Sequence, residues 1–123
     1  MRARGALAAS APPLNSDVRT RWVAMIGAVV YFDVDDTLVR SAGTKRIPIP
    51  AVVDRVRSLH AQGVTLYLWS RGGAAYAQST AQELRIEHCF TAFLAKPTHI
   101  VDDQHITEWR DLEHLLPHQD IEL

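Results

Sequence analysis

The sequence predicts an α/β domain built on a parallel sheet, and three observations lead there. From residue 26 onward, short apolar runs rich in Val, Leu and Ile alternate with segments of helical period. Strands separated by helices imply parallel pairing through right-handed crossovers. Polar or acidic residues follow each apolar run, which is where such sheets carry their chemistry, beyond the carboxyl ends of the strands.

Ile26–Phe32 is short, Val-rich and apolar on both faces, as a buried strand should be. Arg40 to Arg46 is polar, flanked by Leu38-Val39 and Ile47, and Gly43 can turn it into a small hairpin. Pro48 and Pro50 suit the opening of a helix. Val52, Val56 and Leu59 mark one face of that helix, with Val53 beside them, and Gly63 stops it. Val64–Trp69 reads as the second buried strand. Ser70-Arg71-Gly72-Gly73 links it to a helix over Ala74–Arg85, with Tyr76, Ala77, Thr80, Ala81 and Leu84 on one face. A third strand is expected within Cys89–Leu94 and a fourth within Thr98–Val101. Glu108–Leu116 is expected to close the chain as a helix with Trp109, Leu112 and Leu116 inward.

A chain of 123 residues supports one domain with a real core. We assign residues 1–24 to a disordered tail, Arg-rich and without hydrophobic periodicity, and residues 25–123 to the folded domain. A net charge of -1 gives no nucleic-acid footprint. The one cysteine, Cys89, excludes an internal disulfide and suits a reducing, cytoplasmic setting. No apolar stretch approaches the roughly 20 residues of a membrane span.

Chemistry concentrates at Tyr31-Phe32-Asp33-Val34-Asp35-Asp36-Thr37-Leu38, where an apolar run feeds into three carboxylates within four positions. Like charges this close repel, and burying any of them costs free energy unless a cation or hydrogen bonds compensate. A hard divalent cation such as Mg²⁺ would compensate them. Solvated turn residues are the plainer alternative. Taken singly, Ser70 is a helix N-cap, Lys96 a surface lysine and Asp102-Asp103 a polar strand end.

Jointly, Asp33-x-Asp35-x-Thr37, Ser70 after the second strand, Lys96 before a proline and Asp102-Asp103 after the fourth strand resemble the four motifs of the haloacid dehalogenase superfamily, over about residues 26–104. The resemblance implies a three-layer, Rossmann-like sheet with flanking helices and no cap domain, since the intervals between motifs are short. It implies a Mg²⁺-dependent phosphomonoesterase. Asp33 would be the nucleophile that forms an aspartyl-phosphate, and Asp35 the general acid and base. Asp33, Asp35 and Asp102 would hold Mg²⁺. Ser70, Arg71 and Lys96 would bind the phosphate, with Thr37 and Asp103 supporting them from behind. Where the chain departs from that family, it is expected to lack the customary fifth strand.

The expected partner is a phosphorylated substrate, small or macromolecular, with no membrane and no nucleic acid indicated and with room for a homo-oligomer. The alternative is a catalytically idle or receiver-like module that accepts or binds a phosphoryl group without turnover. Arg40, Lys45 and Arg46 on the hairpin could reach an anion, or simply be solvated. His88-Cys89 is a lone pair, not a zinc motif. Cys89 reads as a small buried hydrophobe.

Overall fold

The computed structural model of the chain describes residues 28–118. The expected disordered tail over residues 1–24 and the expected start of the domain at residue 25 lie outside the described residues. In chain order the elements are β1 (Val29–Asp33), β2 (Val39–Ala42), β3 (Lys45–Pro48), α1 (Pro50–Ala61), β4 (Thr65–Ser70), α2 (Ala74–Glu83) and β5 (Ala92–Ala95). Two 3₁₀ turns, Glu87–Cys89 and Ile106–Glu108, complete them. Over the described residues this is a small α/β fold with a three-stranded parallel sheet and two helices.

The sheet order is β1-β4-β5, both pairings parallel. The register sets Tyr31 opposite Tyr67, Asp33 opposite Trp69, and Ser70 opposite Ala95. Alternation along β4 sorts its side chains cleanly. Leu66 and Leu68 are fully buried, while Thr65, Tyr67 and Trp69 are half-exposed. Successive crossovers that move the same way across a sheet put their helices on the same face. Accordingly α1 (Val52, Val53, Val56, Leu59) and α2 (Ala77, Ala81) share one core cluster with Phe32, Leu66 and Leu68. The other face carries Tyr31, tilted at 35° against Tyr67 at 5.0 Å and edge-on to Trp69 at 4.7 Å. Two layers are therefore described where three were expected.

The hairpin forms where Gly43 allows it. Gly43 has φ +65 at the first of two loop residues, the position a type II′ turn reserves for glycine. β2 and β3 pair antiparallel from Val39–Pro48 to Ala42–Lys45. Pro50 opens α1, where its missing N–H costs nothing, and the helix ends ahead of Gly63 as the sequence predicts.

Two expectations fail. Thr98–Val101 pairs with no strand among the described residues, and Ile100 and Val101 face solvent. A strand exists only through a hydrogen-bonded neighbour, and β-favouring side chains do not supply one. Glu108–Leu116 forms no helix. One 3₁₀ turn ends at Glu108, Trp109 is half-buried, and Leu112 and Leu116 are exposed. A segment this short cannot hold a helix unless its apolar side packs on something.

Candidate functional site

The loop between β1 and β2 is organised by the backbone. Val34 is fully buried, and its carbonyl accepts the N–H groups of Thr37, Leu38 and Val39 at 3.2, 2.9 and 3.2 Å. The Asp36 N–H donates to the Val39 carbonyl at 2.7 Å, and Asp36 sits in left-handed backbone at φ 63, a region aspartate tolerates. With Val34 and Leu38 drawn inward, Asp35 and Asp36 are left exposed and Asp33 half-buried.

Asp33 is the centre of the site. Lys96, just past the end of β5, places Nζ 3.2 Å from Asp33 Oδ1. The Thr37 hydroxyl lies 3.4 Å from Asp33 Oδ2, a long contact. The two strand ends are held by the backbone, because the Lys96 N–H donates to the Ser70 carbonyl at 2.9 Å. Asp35 has a partner that the sequence did not foretell. The Tyr76 hydroxyl donates to Asp35 Oδ1 at 2.7 Å. Desolvation, and then this hydrogen bond, push the Tyr76 phenol above its ordinary value, so it remains a donor at neutral pH.

Tyr76 is in turn fixed by the hairpin. The Arg46 guanidinium lies 5.0 Å from the Tyr76 ring centroid, pairs with Glu83 at 2.7 Å and donates to Thr80 Oγ1 at 2.6 Å. Arg46 therefore clamps the hairpin onto α2 instead of reaching for an anion. No sequence motif marks Tyr76. The available signal was its place in the first turn of α2, next to the loop that follows β4.

Ser70 is 1% exposed, and its Oγ accepts the Gly72 N–H at 3.0 Å. Its carbonyl accepts the Gly73 N–H at 3.0 Å as well. The N–H groups of Gly72 and Gly73 are thus used within the turn, and Ser70 builds that turn. Arg71 is exposed beside it. The structure brings together Asp33, Thr37, Lys96 and Ser70, with Asp35 alongside.

Asp102 and Asp103 are not part of this group. Asp102 Oδ1 accepts the Gln104 N–H at 2.9 Å, and no hydrogen bond or ion pair among the described residues joins it to Asp33. That backbone bond holds the Asp102 carboxyl below its usual range. Its loop lines a shallow depression of its own with Ile100, His105 and Ile106. Without the fourth strand, nothing carries Asp102 to the sheet.

The chain belongs to a family described as "Protein of unknown function (DUF705)", whose model matches residues 14–114. It is 28% identical over 76 residues to the "Uncharacterized 38.0 kDa protein in P143-LEF5 intergenic region" of Autographa californica nuclear polyhedrosis virus. The match covers 62% of this chain and 24% of that protein. The chain thus spans about a quarter of the length of this curated relative. No solved structure matches.

These findings correct two expectations. The family shown is not the haloacid dehalogenase superfamily, whose motifs the sequence resembles, and neither the family nor the viral relative is described as an enzyme. The assignment as a haloacid-dehalogenase-like phosphatase is therefore withdrawn. Among the described residues no helix is long and apolar enough to cross a membrane.

Proposed function

We propose that the carboxyl edge of the sheet is a phosphoacceptor and phosphate-binding site centred on Asp33, working with Mg²⁺ and without the repeated turnover of an enzyme. The observation that carries it is the Lys96–Asp33 pair at 3.2 Å. A lysine held on a carboxylate at the end of parallel strands is placed to pair with that carboxylate and with a phosphoryl oxygen added to it. This reading treats the sheet as Rossmann-like, with ligands beyond the strand ends. The single thiol, Cys89, fits a reducing cytoplasmic setting.

Two features favour a site that does not turn over. Asp35, the residue a phosphatase would need as general acid, already has Oδ1 engaged by the Tyr76 hydroxyl. Asp102, the third carboxylate such a site would recruit for metal, is bound within its own loop. Asp33, half-buried at the end of β1, and Asp35, exposed just after it, are hard oxygen donors that suit Mg²⁺, which would screen the charge of an incoming phosphoryl group. A carboxylate oxygen of Asp33 attacks phosphorus in a donor such as acetyl phosphate. The bond from phosphorus to the acetyl oxygen breaks, and acetate leaves with the electron pair.

The test is incubation of the protein with acetyl phosphate and Mg²⁺, followed by intact-mass measurement. We expect one hydroxylamine-labile phosphoryl adduct, absent in Asp33→Asn. Failure to label folded protein would overturn the reading, as would an adduct that survives in Asp33→Asn. Sustained release of phosphate from p-nitrophenyl phosphate would overturn the non-turnover part.

A further inference from the structure

Two of the six histidines, His60 and His88, converge with the one cysteine in the fold, though no motif marks them in the sequence. His60 lies in the last turn of α1, and His88 and Cys89 belong to the 3₁₀ turn after α2. One ligand atom from each of the three lies within 4.8 Å of the other two. His88 Nε2 is 3.7 Å from Cys89 Sγ, and the His60 and His88 rings meet edge-on at 5.6 Å and 86°. We propose that His60, His88 and Cys89 form a transition-metal site of the Zn²⁺ class, with a fourth position open to water or an added ligand.

The geometry is close to what such an ion needs. Tetrahedral bonds of about 2.0–2.3 Å to nitrogen and sulfur give ligand–ligand edges of roughly 3.3–3.8 Å. The His88–Cys89 edge already has that length. His60 and His88 are exposed, so small rotations of two unburied rings close the rest. Two imidazoles and a thiolate select Zn²⁺, Co²⁺ or Cu over Mg²⁺, which keeps this site chemically distinct from the carboxylates around Asp33.

The surroundings permit a cation. The carboxyl end of α1 carries partial negative charge next to His60. Arg57 is the nearby opposing charge, and it is engaged elsewhere, donating to Asp54 at 3.4 Å and to the Leu84 carbonyl at 3.2 Å. Burial pushes the Cys89 thiol up while Arg57 draws it down, so an incoming metal has to displace a proton from sulfur.

Titration of the full chain with Co²⁺ tests the proposal. At one equivalent we expect a thiolate-to-cobalt charge-transfer band and the strong visible bands of tetrahedral Co²⁺, both erased by Zn²⁺. Cys89→Ser should abolish the charge-transfer band. His60→Ala, a surface change that leaves the core intact, should weaken Co²⁺ and Zn²⁺ binding at least about tenfold. A variant with His99, His105, His114 and His118 all changed to Ala should bind as the parent does. The proposal is overturned by the absence of a charge-transfer band in the parent, by equal affinity in His60→Ala, or by a signal that vanishes with the four outlying histidines.

Discussion

Gly72→Ala is the perturbation that best tests how the site is held together. An added Cβ at residue 72 would lie 2.9 Å from Tyr76 Cδ2, 3.1 Å from Tyr76 Cγ and 3.4 Å from Ser70 Oγ. The ring must therefore retreat by about half an ångström to reach ordinary van der Waals contact. The hydroxyl is roughly twice as far from Tyr76 Cβ as the clashing atom, so a pivot moves it by roughly 1 Å, enough to lose a hydrogen bond. The bond at stake is the 2.7 Å contact to Asp35 Oδ1.

Overpacking of this kind costs about 1–3 kcal/mol. Alanine offsets about 0.4–1 kcal/mol of that by restricting the unfolded chain. The net loss, centred on about 1.3 kcal/mol, should lower Tm by roughly 5–10 °C for a domain of this size. The assay is urea and thermal unfolding by circular dichroism, for Gly72→Ala alone and in a Tyr76→Ala background. Removing the ring removes the clash, so the cost of Gly72→Ala should largely disappear in that background. An equal cost in both would refute the ring-contact argument.

Three further outcomes follow from the same geometry. Lys96→Ala should cut phosphoryl labelling of Asp33 about tenfold or more, from the roughly 1.5–3 kcal/mol a charged hydrogen bond contributes. Because both partners are about a third exposed, it should change unfolding stability by less than about 1 kcal/mol. Leu68→Ala, fully buried on the central strand, should cost about 2–5 kcal/mol in urea unfolding with the slope unchanged.

The Tyr76 phenol, raised from 10.0, holds its proton more tightly folded than unfolded. The stability from this source is complete below the unfolded value and falls as pH rises through the folded one. Unfolding measured across alkaline pH should show a loss above about pH 10 that is absent in Tyr76→Phe.

Neighbours in sequence made much of the site legible in advance. Asp33 and Lys96 fall at the ends of two apolar runs that flank β4, and parallel pairing of both with β4 is enough to bring such ends together. Ser70 lies where it was expected, yet it faces inward, because the turn it opens consumes its oxygens. Arg46 was legible as a cation on a hairpin. That it would choose Glu83 and the Tyr76 ring depends on how the hairpin lies across α2, which no local pattern encodes. Asp102 was misplaced for a related reason. A carboxylate after an apolar run belongs to a sheet edge only if that run finds a strand to pair with.

What short-range physics controls could be read from residue order. A left-handed glycine at residue 43 closes the hairpin, Pro50 starts α1, its valines and Leu59 face one way, and the Leu66–Leu68 run is buried. Each depends on backbone freedom or on apolar spacing within a few residues. Packing of distant elements set the pairing of Asp35 with Tyr76, 41 residues away, and the convergence of His60 with His88 and Cys89. It also decided that Thr98–Val101 would not become a strand. Those outcomes depend on partners distant in the chain, and such contacts exist only after packing has brought the elements together.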